Sequence, residues 1–315
     1  MLGHINRERF RGEPVGVVYG GDSSERDVSL KTGKAFLDAL EELGYDATGY
    51  DLPNDLSKLL NDKPAAVILG LHGGNGENGA VQGLLSVIGV PFTGSGVMAS
   101  ALAMDKARTK ALLRDARVPV ADGIYVPSRD FRASDASSYL EEVPVPCVVK
   151  LNDAGSSVGV WVCRDEAAYL EAISAVSGML SDAPTAGVLI EAFVKGPEYS
   201  VGFFDDQFLG AIEIRPEKGF YDYEAKYATN TTQYVPVEDS ELSAQLEAIG
   251  RTAYRKVGCQ GVARVDMMGE PDTLIVLELN TIPGMTATSL IPKMAARLGL
   301  TFKDFTEFLL ASAHC

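Results

Sequence analysis

Short apolar runs that end in glycine-rich turns dominate the first part of the chain. Residues Val15 to Tyr19 form one run before Gly20-Gly21, and Ala65 to Leu69 form a second before another glycine-rich loop. Between them, apolar residues recur at helical spacing and stop at Gly44: Ala35, Phe36, Ala39, Leu40 and Leu43. Strand, helix and strand in this order predict a right-handed βαβ unit in a parallel sheet. Both glycine-rich loops then lie at the carboxyl edge of the sheet, where ligands bind.

The pattern changes near residue 95. Strand-like runs at 147–150, 159–162 and 188–191, with a helical run at 165–176, predict a small α+β lobe. Runs at 199–204 and 208–214 flank Asp205-Asp206 and predict a hairpin. The polar, tyrosine-rich stretch over residues 215–240 is too irregular for a core element and predicts a lid.

These patterns predict three units. An N-terminal α/β substrate-binding domain covers residues 1–95, a central lobe covers 96–190, and a C-terminal lobe with the lid covers 191–315. Residues 1–13 are polar and carry three arginines, which favours a flexible lead-in over a secretory signal.

Composition and charge exclude several classes of protein. The 315 residues carry a formal net charge of −15, whereas a general nucleic-acid surface needs a basic stripe. No apolar run approaches the ~20 residues that cross a bilayer. The four cysteines lack paired spacing, which fits a reducing cytoplasm. In so acidic a chain, a phosphate site must be built locally from a few lysines, backbone amides and metal ions.

The strongest chemical signal lies near the C-terminus, where two strand-like runs, 262–267 and 274–280, are joined by a polar loop. Alternation places Arg264 and Asp266 on one face of the first run, and Glu278 and Asn280 on one face of the second. If those faces are aligned, their oxygen atoms converge as Mg²⁺ ligands. The alternative is a solvated strand face with an Arg–Asp surface pair. The turn that follows contains Gly284, whose amide could serve an oxyanion.

Two further motifs lie on glycine-rich loops. Lys150 precedes GSSVG at 155–159, a loop whose amides could close around phosphate oxygens, although an ordinary hairpin turn gives the same pattern. His72 and Glu25 lie in the two loops of the predicted parallel sheet. His72 is as consistent with a structural role as with substrate contact. Glu25 could bind a substrate ammonium or simply favour the helix dipole at the start of a helix.

Taken together, the motifs resemble the D-alanine–D-alanine ligase family, in the same order over about residues 15–305. The resemblance rests on the His72 loop and on GGDSSERDVS (20–29), PFTGSG (91–96), MDK (104–106), GSSVG (155–159), FYDYEAKY (220–227) and LELNTIPGMT (277–286). It implies an α/β protein with an ATP-grasp fold that joins two D-alanines through an acyl phosphate, consumes ATP and serves peptidoglycan synthesis. It also implies Mg²⁺ (or Mn²⁺) as cofactor, a cytoplasmic homodimer, and no nucleic-acid or membrane partner.

The resemblance further implies a role for each matching residue. Catalytic roles fall to Glu25, Ser156, Tyr227, Arg264 and Gly284. Substrate contacts fall to His72, Lys226 and Ser289. ATP contacts fall to Lys106, Lys150, Glu191 and Glu198. Metal ligands fall to Asp266, Glu278 and Asn280.

Three positions depart from the family pattern, namely Asn78, Ser86 and Leu151, and none carries an implied role. Two rival functions stay open. A related ATP-grasp ligase could make D-alanyl-D-lactate, although Tyr227 favours an amine nucleophile, and a non-catalytic nucleotide-binding regulator should have lost the metal ligands or Arg264. A dinucleotide-binding dehydrogenase fails because Gly20-Gly21 lacks the Gly-x-Gly-x-x-Gly spacing.

Overall fold

A computed structural model describes residues 5–155, 159–182, 187–216, 232–286 and 289–315. The strands are β1 Val15–Gly20, β2 Ala47–Leu52, β3 Ala66–Leu69, β4 Gly123–Pro127, β5 Cys147–Leu151, β6 Val160–Cys163, β7 Gly187–Ala192, β8 Glu198–Phe204, β9 Gln207–Arg215, β10 Gln233–Pro236, β11 Val262–Met268 and β12 Ile275–Asn280. The helices are α1 Arg26–Glu42, α2 Leu56–Asp62, α3 Gly74–Glu77, α4 Ala80–Ile88, α5 Val97–Met104, α6 Lys106–Asp115, α7 Ala136–Glu142, α8 Glu166–Asp182, α9 Ser240–Val257, α10 Leu290–Arg297 and α11 Phe302–Ala311.

The first sheet is parallel, as the sequence predicts, and has the order β2-β1-β3, in which β2 was not predicted. Helix α1 packs on it because Phe36, Ala39 and Leu40 recur on one helical face and are buried. The turn after β1 requires glycine, because Gly20 has φ +92° and an added Cβ would lie 1.9 Å from Asp51 Oδ1. That turn directs the following loop, which contains Glu25, along the carboxyl edge of the sheet.

The second sheet, β4-β7-β5-β6, is antiparallel and packs against α8. The strands predicted over residues 147–191 occur within one or two residues of their expected ends, and α8 extends six residues beyond the predicted helix. Val148 lies opposite Glu191 and Lys150 lies opposite Leu189. Lys150 and Glu191 are therefore diagonal neighbours on one face of the sheet.

The third sheet, β10-β9-β8-β11-β12, is antiparallel and contains the predicted hairpin of β8 and β9. Helices α5 and α6 pack into its core through Ala99, Ala103 and Leu113. Both helices fall within residues 96–190, the range predicted for the central lobe. Their apolar faces are buried against the sheet of the C-terminal lobe rather than against that of the central lobe.

Both ends of the described chain pack on the first sheet. Phe305, Phe308 and Leu309 of α11 share a core with Val15 and Phe36. The segment predicted as a flexible lead-in, residues 1–13, contacts the rest of the protein from residue 5 onward. Its three arginines bind α11 and the residues that follow it: Arg7 donates to Glu307 (2.6 Å) and Asp304 (2.8 Å), Arg11 to Glu307 (3.2 Å), and Arg9 to the Ala313 carbonyl (2.7 Å).

The predicted lid over residues 215–240 includes regular structure at its ends. Arg215 is the last residue of β9, and residues 233–236 form β10 beside it. Residues 217–231 lie outside the described residues. Within the described part of the chain, none of the helices combines the length and the apolar character that crossing a membrane requires.

Candidate active site

A cavity of about 570 Å³ lies where the loops of the first sheet face β8, β11 and β12 of the third. Most of the site residues predicted from the sequence line it, although they come from distant parts of the chain. These residues are Glu25, His72, Lys106, Glu198, Arg264, Asp266, Glu278, Asn280, Gly284 and Ser289. Lys150 and Glu191 do not line the cavity, and Ser156, Lys226 and Tyr227 lie outside the described residues.

The acidic part of the cavity is built by the β11–β12 hairpin. Asp266 pairs with Glu278 and Arg264 pairs with Asn280, so the four side chains share one face of the sheet, the alignment that strand alternation makes possible. Arg264 donates to both carboxylate oxygens of Asp266, from Nε at 2.8 Å and from Nη2 at 2.7 Å. Ser200 Oγ, from neighbouring β8, donates to Asp266 Oδ1 at 2.6 Å.

The donor chemistry of this hairpin fits a hard divalent cation that also binds phosphates. Two carboxylates and one amide oxygen lie side by side, and Mg²⁺ is usually held by one or two carboxylates plus substrate phosphates. In the described residues, no group of three or more His, Cys, Asp or Glu side chains is close enough to bind a metal without such help. The hairpin therefore suits a metal that arrives with a nucleotide.

Lys106, the first residue of α6, brings a cation to the same place. Its ammonium lies 3.2 Å from Glu278 Oε2 and donates to the Ala154 carbonyl at 2.8 Å. Asn152 fixes the start of the helix, because its Oδ1 accepts from the Ala107 amide at 2.8 Å. The side-chain amide of Asn152 also donates to Asp105, the N-cap residue of α6. The glycine-rich loop after β5 and the positive end of α6 are thus held together.

The Glu25 carboxylate fits between two glycine-rich loops. A Cβ added at Gly73 would lie 2.8 Å from Glu25 Oε2, and one added at Gly155 would lie 3.1 Å from it. The neighbouring Arg26 fixes the loop, donating to Asp51 Oδ2 at 2.6 Å and to the Gly21 carbonyl at 3.0 Å. The hydrogen bond from Arg26 lowers the pKa of Asp51 below its ordinary value.

His72 is buried and bridges the first sheet to the loop after β12. Its Nδ1 lies 3.2 Å from the Ile282 carbonyl and its Nε2 lies 2.9 Å from Thr32 Oγ1. A carbonyl can only accept, so Nδ1 carries the proton and, in the neutral ring, Nε2 accepts from the threonine hydroxyl. Glu77, in the same glycine-rich loop, lies 3.7 Å from Nδ1 and lines the cavity, a position that the sequence analysis did not assign.

Lys150 and Glu191 form a buried cluster with a third residue, Lys110, which the sequence analysis missed. Glu191 Oε2 lies 2.6 Å from Lys150 Nζ, and Glu191 Oε1 accepts a hydrogen bond from Lys110. Burial, and then the charge of Lys150, lower the pKa of Lys110 to about 7. Burial alone would raise the pKa of Glu191, but the charges of Lys150 and Lys110 outweigh it and hold that pKa below its ordinary value.

Ser289 lies at the N-terminal end of α10, beside Gly284. Ser289 Oγ accepts from the Thr286 amide at 3.0 Å, and a Cβ added at Gly284 would meet it at 2.9 Å. One turn along α10, Lys293 also lines the cavity, with its ammonium 4.1 Å from the centre of the Tyr234 ring. Burial lowers the pKa of Lys293. Its spacing of four residues from Ser289 was the signal that could have identified it.

The chain is similar to known proteins over almost its whole length. The family model for the D-ala D-ala ligase C-terminus matches residues 112–311. D-alanine–D-alanine ligases from Anaeromyxobacter sp. (strain Fw109-5) and Haemophilus ducreyi are 44% and 40% identical to the chain. Those alignments cover 97% and 96% of this chain, respectively, and 98% of each relative.

The chain belongs to the D-alanine–D-alanine ligase family.

A solved structure supports the same family assignment. The D-alanine–D-alanine ligase from Bacillus anthracis complexed with ATP superposes with a TM-score of 0.80 at 32% identity, covering 95% of this chain and 96% of that one. The expected ATP-grasp fold, with a parallel N-terminal sheet, is therefore confirmed. Membership of this family shows that the protein uses ATP. The roles of individual side chains are proposed below.

Proposed function

We propose that this cavity is where the protein joins two D-alanines to D-alanyl-D-alanine with ATP, the reaction that supplies a peptidoglycan precursor. Membership of the ligase family supports the reaction. The observation that carries the assignment to this cavity is that Glu25, Arg264 and the acidic hairpin line one space. The cavity thus contains a group of suitable charge for each part of the reaction: Glu25 for a substrate ammonium, Arg264 for a developing oxyanion, and the hairpin with its metal for nucleotide phosphates.

ATP would place its phosphates between the hairpin and the start of α6. Lys106 offers a cation 3.2 Å from Glu278, and Lys150 offers a second cation from the adjoining sheet. We assign Glu191 and Glu198 to the adenosine side, as the resemblance implies. Asp266, Glu278 and Asn280 would hold Mg²⁺, which when bound neutralises charge on the phosphates.

The first D-alanine would bind near Glu25 and His72. The carboxylate of Glu25 would pair with the substrate ammonium. The substrate carboxylate attacks the γ-phosphate, forming an acyl phosphate and ADP. Positioning supplies most of the rate enhancement for such a transfer, because the reacting oxygen must lie in line with the bond that breaks.

The second D-alanine would bind near Ser289, at the N-terminal end of α10, where a carboxylate is favoured. Its amine attacks the acyl carbon and displaces phosphate through a tetrahedral intermediate. Arg264 and the Gly284 amide would stabilise the oxyanion. The proposal also assigns the roles implied by the family resemblance to three residues outside the described part of the chain, Ser156, Lys226 and Tyr227. Of these, Tyr227 favours an amine over a hydroxyl nucleophile.

We further propose that the protein is cytoplasmic and forms a homodimer.

The decisive experiment measures phosphate release from ATP with Mg²⁺ and D-alanine, with products identified by mass. L-alanine, D-lactate and D-serine serve as alternative second substrates. We expect phosphate release with D-alanine in step with dipeptide formation. Turnover only with D-lactate or D-serine would replace the second substrate and keep the fold. ATP binding without turnover by any pair would favour a nucleotide-binding regulator.

A further inference from the structure

Three charged side chains form a buried cluster behind the cavity. Lys110, Glu191 and Lys150 expose 2%, 4% and 10% of their side chains. Each oxygen of Glu191 contacts a different lysine, so the carboxylate bridges helix α6 to strand β5. Lys110 itself does not line the cavity and is not placed to touch a substrate there.

The charges of this cluster do not balance. Among the described residues, two lysine side chains share one carboxylate, so the buried cluster carries an excess positive charge whenever Lys110, whose pKa is about 7, is protonated. An uncompensated buried charge is costly and favours an anion nearby. Lys150 is the most exposed member of the cluster, so it is the residue through which the excess charge can best interact with a ligand.

We propose that Lys110 is a positioning residue for ATP, which holds one oxygen of Glu191 so that Lys150 is fixed in place and keeps its charge for the nucleotide phosphates. The proposal rests on the role of Lys150 in the proposed function. If Lys110 is removed, Glu191 and Lys150 form a neutral ion pair. The positive charge of Lys150 is then neutralised by Glu191 and no longer attracts the phosphates of ATP.

The geometry of α6 supports this role. Lys106 and Lys110 are four residues apart and lie on the same side of the helix. The first reaches the cavity directly, and the second acts through Glu191. Because Asn152 bonds the first turn of α6, the helix cannot shift relative to the loop after β5 without breaking that contact. One helix therefore holds Lys106 at the cavity and, through Lys110 and Glu191, fixes Lys150.

The test begins with Lys110→Met in the full-length enzyme. We expect the KM for ATP and the Kd for ATP with Mg²⁺ to rise about tenfold or more, since a charge-assisted contact is lost. The KM for D-alanine and kcat at saturating ATP should stay within about twofold. Lys110→Arg should recover ATP affinity in part. Lys34→Met is the matched control, because Lys34 pairs with Asp38 on the exposed surface.

A double-variant comparison separates positioning from general structure. If Lys110 acts through Lys150, Lys110→Met adds little to the loss of ATP affinity in a Lys150→Met background. Additive losses, or a kcat decrease with unchanged ATP affinity, would overturn the proposal. If the methionine variant does not fold, Lys110→Gln removes the charge, keeps a hydrogen-bond donor and is judged by the same criteria.

Failure of the two proposals can be told apart. If Lys150→Met alone leaves the Kd for ATP unchanged, the assignment of Lys150 to the phosphates is wrong, and the role of Lys110 is overturned with it. If Lys150→Met weakens ATP binding but Lys110→Met does not, only the role of Lys110 is wrong.

Discussion

Arg264 grips both oxygens of Asp266, its neighbour two residues along β11, with Nε at 2.8 Å from one oxygen and Nη2 at 2.7 Å from the other. Arg264, which we assign to the oxyanion, and Asp266, which we assign to the metal, therefore fix each other's position. This bidentate pair keeps both side chains extended along the same face of the sheet, where the β12 residues meet them.

Arg264→Lys should therefore impair chemistry more than nucleotide binding. A lysine ammonium is a point charge that cannot grip both oxygens as the guanidinium fork does. We expect kcat to fall on the order of 10²-fold, with the Kd for ATP changed by less than about threefold. Steady-state kinetics and calorimetry measure the two quantities. Arg255→Lys, at an exposed pair with Asp206, is the control. An unchanged kcat would remove Arg264 from the oxyanion role.

Glu278→Gln should shift the Mg²⁺ dependence of turnover to higher concentrations. The substitution keeps the size of the side chain but removes one of the two carboxylates of the hairpin, so binding of a divalent cation loses charge complementarity. We expect phosphate release to fall at least 10²-fold at about 1 mM Mg²⁺ and to rise partly at higher concentrations. Glu270→Gln, an exposed position between β11 and β12, should behave as wild type. Equal Mg²⁺ dependence in both variants would place the metal elsewhere.

The Arg26–Asp51 pair predicts a dependence of stability on acid. Since the hydrogen bond from Arg26 lowers the pKa of Asp51 in the folded protein, the stabilisation is present above the unfolded value of about 3.9 and is lost as the pH falls through the folded value. The free energy of unfolding of Asp51→Asn should accordingly fall less steeply than that of wild type below about pH 4. Urea unfolding between pH 3 and 7 tests this, with Asp27→Asn as control. Parallel curves for wild type and Asp51→Asn would contradict it.

The buried carboxylate of Glu307 depends on the arginines of the N-terminal segment. Only 4% of its side chain is exposed, whereas Arg7 and Arg11 are more than a third exposed. Replacing both arginines by methionine leaves the carboxylate with Tyr45 as its remaining described partner. We expect a loss of about 2 kcal/mol, between the values for surface and buried pairs. Adding Glu307→Gln should restore part of it in urea unfolding, and a further loss on this addition would refute the explanation.

Strand alternation predicted which side chains of the acidic hairpin share a face on each strand, and the register of the two strands then aligns those faces. Side chains repeat every two residues in a strand, so Arg264 and Asp266 had to share a face before any partner strand was known. Lys110 could not be found this way. A lysine in an amphipathic helix normally faces solvent, and its burial here depends on Glu191, 81 residues further along the chain.

The helices α5 and α6 show a second limit of the sequence. An apolar helical face indicates that it will be buried, but not which sheet will bury it. The same limit applies to the N-terminal arginines, whose acceptors in Asp304 and Glu307 are nearly 300 residues away. The sequence predicted which groups carry chemistry, whereas contacts between distant segments required the structure.

The packing of α11 against β1 and α1 also limits the order in which parts of the chain can fold during synthesis on the ribosome. The strands of the first sheet are translated before the other two sheets, whereas Phe305 and Leu309, which complete their core, follow both. The antiparallel bridge between Phe92 and His314 likewise joins the first lobe to a residue that follows α11. Domains commonly fold as they emerge, starting from the N-terminus. Here the first sheet is synthesised before the other two, but its core is completed only after them, so nascent chains must keep its apolar face from aggregating until α11 has emerged.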